Sequence, residues 1–144
     1  LAFPFFFVFL GQMSPNTEGS PGNIQLSREV RDTYLLLSVS GNYPGKKAGL
    51  EFIETLFLQA KNAHLSKVLL DLRAMAGHVQ GMDRYEMGNK AGMLWDKSLK
   101  VAIVDRPEAI NRFFEDVAIN RGVNTRVFFT EEEAAGWLIS DEIK

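Results

Sequence analysis

His78, Asp83, Arg84 and Tyr85 crowd into one short stretch of the chain, and Asp105 and Arg106 stand side by side further on. A histidine held against a carboxylate can take a proton from a substrate or a water. His78 with Asp83 or Asp105 would be such a pair, the basis of a small hydrolase or transferase. The stretch has no nucleophile to go with it. Cysteine is absent, and Tyr85 carries the only nearby hydroxyl. The plainer assignment makes His78 an exposed loop residue and Asp83 the cap of the helix that follows.

Asp71 and Arg73 close the run Ser66 to Arg73, Ser-Lys-Val-Leu-Leu-Asp-Leu-Arg. A carboxylate on a strand covered on both faces is costly unless it is hydrogen-bonded. It would serve either anion or magnesium chemistry, or it would accept N–H groups from the loop it precedes. A single Asp with no acidic neighbour makes a poor metal site, so Asp71 and Arg73 are assigned structural roles. His64 and His78 are the only histidines, and they lack zinc-site spacing. No metal is expected. No G-x-G-x-x-G or phosphate-loop pattern occurs, and Gly77 and Gly81 merely bracket a loop, so no cofactor is expected either. Net charge is −2, with Lys46-Lys47 the one basic pair, read as solvated surface. That charge pattern argues against nucleic acid.

Four of the five methionines, Met75, Met82, Met87 and Met93, lie between Met75 and Trp95. Thioether side chains re-pack easily. A methionine-rich helix broken by Gly88 and Gly92, each costing roughly 1 kcal/mol against alanine, would line an adaptable apolar groove. Methionine is also an ordinary core filler, and that alternative stays open.

These residues need elements to hold them. Ser66 to Arg73 is nearly all apolar, the pattern of a central parallel strand. Before it, Ile24, Leu26 and Val30 alternate with polar residues as in a half-exposed edge strand. Asp32-Thr33 turns into a second strand, Tyr34 to Ser40. Gly41 to Gly45 leads to a helix over Lys46 to His64, with Leu50, Ile53, Phe57 and Ala60 on one face and Leu56 beside them. An irregular stretch, Ala74 to Gly81, precedes a weak helix from Met82 to Trp95. Leu99 to Asp105 is another buried strand, and Pro107 suits the first turn of the next helix. Ile110, Phe113, Phe114, Val117 and Ala118 form that helix's apolar stripe, and Gly122 stands at its C-cap. Thr125 to Phe129 is the last strand. Thr130 to Glu133 is a capping box for a closing helix that buries Ala134, Trp137 and Leu138. The order ββαβαβαβα predicts an α/β fold: a mixed five-stranded sheet with parallel inner strands and four helices.

The 144 residues suffice for one domain with a proper core. The hydrophobic run Leu1 to Leu10 is shorter than the roughly 20 residues of a membrane span. It also lacks the basic n-region of a signal peptide. Met13-Ser14-Pro15 reads as a plausible true start. Residues 1–23 are therefore expected to be a leader outside the fold, with residues 24–144 one domain. The absence of cysteine fits a reducing, cytoplasmic setting.

The hairpin, the long helix, Leu70-Asp71-Leu72, the strand end Val101 to Asp105 and the segments Phe128-Phe129 and Ala135-Gly136-Trp137-Leu138 together resemble the STAS family. STAS domains occur in sulfate transporters and anti-sigma-factor antagonists. The likeness is greatest to the SpoIIAA-like branch, similar in shape to lipid-binding Sec14-type domains, and it covers Ile24 to Ile139. It implies a bacterial-type, non-enzymatic regulatory or binding module. Family antagonists carry an Asp-Ser-Ser-Gly-like turn after the central strand, with a serine phosphorylated by a partner kinase. Here no serine or threonine occurs between Lys67 and Lys97, so that switch has no acceptor. The expected partner is a protein, a second copy of the chain included, or a hydrophobic, lipid-like small molecule. The expected face comprises Met75, His78, Met82, Tyr85, Met87, Met93, Trp95, Asp105 and Arg106.

Overall fold

A computed structural model describes residues 24–109 and 113–140. The expected leader over residues 1–23, and the side chains of Ile110, Phe113 and Phe114, lie outside the described part.

Strands β1 (Ile24–Arg31), β2 (Tyr34–Asn42), β3 (Lys67–Ala76), β4 (Lys100–Val104) and β5 (Asn124–Phe128) form one sheet in sequential order. β1 is antiparallel to β2 and occupies an edge, and the other pairs are parallel. The hairpin closes at Asp32, which takes a positive φ of 43°, a conformation Asp tolerates better than most residues. Helices α1 (Lys46–Asn62), α2 (Gly81–Leu94) and α3 (Phe113–Asn120) connect successive parallel strands, and α4 (Glu131–Ile139) closes the chain.

Handedness decides where the helices go. Right-handed crossovers between strands laid down in one direction put all three connecting helices on the same sheet face. That face carries Leu35, Leu37 and Val39 of β2 with Val68 and Leu70 of β3, packed beneath Ile53, Leu56 and Ala91. The other face carries Leu36, Leu69, Ala102 and Val104, covered by Ala134, Trp137 and Leu138 of α4. β3 and β4 are thus covered on both sides, which is why they read as unbroken apolar runs. Each fully buried Leu or Val of this core contributes about 1.5–3 kcal/mol.

Three local expectations are corrected. Ala74 to Ala76 is strand rather than loop, because β3 goes on to pair Ala74, Met75 and Ala76 with Ser40, Gly41 and Asn42 of β2. Asp83 does not cap its helix. α2 begins earlier, with Gln80 at the N-cap and no side-chain cap bond, and Asp83 lies inside the first turn. Pro107 opens a 3-10 turn, Pro107–Ala109, instead of an α-helix. Two other local signals hold. The Thr130 side chain accepts the Glu133 N–H at 3.1 Å, and Gly122 takes the positive φ, 92°, that follows a helix end.

The glycines of α2 do more than weaken a helix. Gly88 is buried, and a Cβ on Gly92 would stand 2.5 Å from Arg121 Cβ. Their bare backbone lets α2 lie close to its neighbours.

Candidate functional site

The register of β3 supplies the first piece of the site. Ser38 pairs with Asp71 but Ser40 pairs with Ala74, so Leu72 and Arg73 together face the single residue Val39. This is a β-bulge. One extra residue reverses the alternation of side chains: Leu70, Leu72 and then Met75 point to the helix-covered face. Asp71 stabilises the bulge from the opposite face. Its Oδ1 accepts the Arg73 N–H at 3.0 Å and Arg73 Nε at 2.9 Å, and its Oδ2 accepts Arg73 Nη2 at 2.8 Å. These bonds, the Arg73 guanidinium foremost, hold the Asp71 carboxyl below its usual range. Asp71 and Arg73 are thus structural neighbours, with Glu131 Oε1 a further 3.8 Å from Arg73 Nη2.

On the helix side, α1 and α2 do not pack flush against the sheet. Between them lies an apolar cavity of about 130 Å³. Val39, Leu70, Leu72, Met75 and Ile103 form its floor, and Phe52, Ile53, Leu56, Met87 and Trp95 form its walls and roof. Trp95 is buried, its Nε1 donating to Ile53 O at 2.9 Å. The α1 backbone comes close because Gly49 has no side chain. A Cβ there would stand 3.0 Å from both Met87 Sδ and the Tyr43 hydroxyl.

The polar groups of the cavity gather at the carboxyl ends of the strands. Tyr43, in the β2–α1 turn, lies over this end, donating its N–H to Ala76 O at 2.8 Å and its hydroxyl to Asp83 Oδ2 at 2.9 Å. Burial and the bond to Asp83 push the Tyr43 hydroxyl well above its usual pKa. Arg84 lines the same end, with Nε donating to Val79 O at 3.2 Å. Burial lowers its pKa and the charge of Asp105 acts against that. Asp105 lines the cavity from the end of β4, with Oδ1 accepting the Arg106 N–H at 2.8 Å. Burial raises its carboxyl, against the pull of the Arg106 N–H and of the Arg106 and Arg84 charges. Buried Glu115 completes the ionisable lining, and its Oε2 accepts the Val127 N–H at 3.2 Å.

The residues expected to form one face divide into two groups. Met75, Met87, Trp95 and Asp105 meet around the cavity. Arg106 flanks it, its Nη2 donating to Met75 O at 3.0 Å. Met82, Tyr85 and Met93 point outward from α2, Met93 being 84% exposed. His78 is exposed in the β3–α2 loop. No hydrogen bond or ion pair joins His78 to Asp83 or Asp105 among the described residues, so the pair a general base needs is not assembled. Tyr43, Gly49, Phe52, Val79 and Glu115 were not expected at the site. Of these, Tyr43 had a usable signal, its place just beyond the carboxyl end of a strand. No group of three or more His, Asp or Glu able to hold a metal exists among the described residues, and no helix among them is long and apolar enough to cross a membrane.

No protein-family model and no curated protein matches the chain. Solved structures do resemble it. An anti-sigma factor antagonist from Mycobacterium paratuberculosis superposes with a TM-score of 0.58 at 17% identity, over 83% of this chain and 97% of that one. An uncharacterized DUF3478-family protein with a SpoIIAA-like fold, from Shewanella loihica, gives 0.50 at 21% identity, over 80% and 93% of the two chains. This chain has a STAS/SpoIIAA-like fold. At such identities the likeness carries the fold and not the function. In this SpoIIAA-like domain the cavity lies between the bulged strand and the two long helices, and its polar end opens where the parallel strands finish.

Proposed function

We propose that this SpoIIAA-like domain is a non-enzymatic binding module that takes a small hydrophobic molecule, or one ring-sized part of a larger one, between α1, α2 and the sheet. The observation that carries this reading is the apolar cavity of about 130 Å³ bounded by Leu70, Leu72, Phe52 and Met87. Well-packed cores leave few voids larger than a water, so a space of this size has a cost that binding would offset. Its volume decides the ligand's size. An apolar cavity of about 150 Å³ holds benzene, whereas pockets for drug-sized ligands run to roughly 300–1,000 Å³. A whole lipid does not fit, but a ring or a short branched chain does. Saturation-transfer NMR with toluene, on the native chain and on a variant that fills the space from Ala48, a further lining residue on α1 (Ala48→Leu), tests the reading. Transfer to the native chain that is lost in Ala48→Leu, with thermal melting retained, is the expected result. Absence of transfer to the native chain at millimolar toluene would refute it.

A second reading keeps a protein partner. Met82, Tyr85 and Met93 stand exposed along one side of α2, and methionine-rich surfaces suit adaptable contacts. The neighbour from Mycobacterium paratuberculosis is, by its name, an antagonist of an anti-sigma factor. A comparable role here would act through contact alone, since the stretch Lys67 to Lys97 has no serine or threonine. Met93→Asp separates the readings. It removes partner capture under the second and leaves toluene binding intact under the first.

A further inference from the structure

The cavity has a polar end whose charges are unevenly satisfied. Asp105 Oδ1 accepts the N–H of the next residue, but among the described residues none donates a hydrogen bond to Oδ2. That oxygen belongs to a half-buried carboxyl which lines the apolar space. Asp105 Oδ2 is not among the buried unpartnered polar atoms, so water can reach it in the free protein. A ring that fills the cavity displaces that water, and only a ligand with a donor of its own replaces the bond that is lost. We infer that the ligand of this cavity is a small, uncharged ring compound bearing one hydrogen-bond donor, a phenol or a cyclic alcohol, whose hydroxyl donates to Asp105 while its ring fills the space between Leu70, Leu72 and Met87.

Charge excludes the neighbouring chemistries. A carboxylate ligand would bring its charge beside Asp105 and Glu115, both on the cavity wall. An ammonium ligand would meet Asp105 favourably, but it would also face Arg84 on the same wall and Arg106 beside it. The cationic and anionic groups balance locally, so a full charge of either sign gains little and still sheds its hydration. A neutral donor avoids both penalties, and a phenol, with a pKa near 10, stays neutral at pH 7. A donor-free ring fills the same volume but leaves Oδ2 unmet.

This inference rests on the cavity being a ligand site, and the experiment separates the two claims. Phenol, toluene, benzoate and benzylamine are titrated into the native chain and into Asp105→Ala, with affinities read by NMR line shape or calorimetry and folding checked by thermal melting. Phenol is expected to bind about tenfold or more tighter than toluene, the factor a hydrogen bond to a charged acceptor supplies. Both charged rings are expected to bind more weakly than phenol. Asp105→Ala is expected to bring phenol down to the affinity of toluene while leaving toluene unchanged. Equal binding of phenol and toluene, a preference for either charged ring, or a phenol advantage that survives Asp105→Ala would overturn the donor assignment and leave the cavity reading standing. Failure of all four to bind would overturn the cavity reading itself. If Asp105→Ala does not fold, the ranking of the four probes on the native chain still decides the assignment.

Discussion

The Tyr43 hydroxyl donates to Asp83 Oδ2 across 2.9 Å, joining residues 40 apart in sequence. One residue belongs to the turn after β2 and the other to the first turn of α2. The bond therefore fastens the two elements that border the polar end of the cavity. It also accounts for Asp83, whose carboxylate is spent on this contact and not on a helix cap.

Tyr43→Phe removes that donor and nothing else. A part-buried hydrogen bond to a charged acceptor contributes about 1.5–3 kcal/mol where fully shielded, and about 1 kcal/mol is the expected loss at this half-exposed position. Amide exchange in Asp83 to Tyr85 should speed up more than in the core strands. The linkage has a definite sign. The Tyr43 pKa is raised on folding, so its contribution is complete below the unfolded tyrosine pKa near 10 and fades as pH climbs above it. The native protein should lose stability in that alkaline range, and Tyr43→Phe should lose less. Equal alkaline profiles for the two would contradict the role assigned to the hydroxyl.

Asp71 and Asp105 should respond to acid in opposite senses. Asp71 is held below its usual range by Arg73, so its stabilising effect is present above the unfolded pKa near 3.9 and is lost as pH falls through the lower folded value. Asp71→Ala should cost about 1–2 kcal/mol near neutrality and speed exchange over Ala74 to Ala76, where β3 runs beyond the bulge. Asp105 is raised by burial. Its protonated form favours the fold, and that benefit disappears as pH rises through the folded pKa. Asp105→Asn should therefore stabilise the protein at pH 7, by no more than about 1 kcal/mol after solvent screening is allowed for. Denaturant melts of both variants at pH 4 and pH 7 measure the two signs directly.

Gly92→Ala and Gly136→Ala make a matched pair. Each replaces a helical glycine, which alone would stabilise by about 1 kcal/mol. The added Cβ at Gly136 meets nothing within 4 Å, whereas at Gly92 it would come within 2.5 Å of Arg121 Cβ. Gly136→Ala should raise the melting temperature. Gly92→Ala should lower it, by a net 1–2 kcal/mol equivalent, because α2 and α3 must part to admit the methyl. A stabilising Gly92→Ala would show that the two helices are not in close contact there.

What the sequence alone determined is local. Leu26 within the alternating edge strand, the doubly apolar runs around Leu70 and Ile103, and the 3.6-residue spacing of Ile53, Leu56 and Ala60 each report burial at their own positions. Val30, on the same alternation as Leu26, is exposed. With the order of elements and the one-handedness of crossovers, that is enough for the mixed sheet and for the three connecting helices on one face. Met75, Met87 and Trp95 were legible as site candidates through the methionine-rich, glycine-broken segment they belong to, and Asp105 through its place at the carboxyl end of a strand, where parallel sheets open. Only the tertiary structure decided the rest. The bulge that swings Met75 inward depends on register between β2 and β3. The Tyr43–Asp83 bond joins distant stretches of chain, and the closeness that Gly92 permits depends on where α3 comes to lie. The cavity is a remainder, the space left after side chains from eight elements have packed. No periodicity encodes a remainder, since it belongs to no single residue.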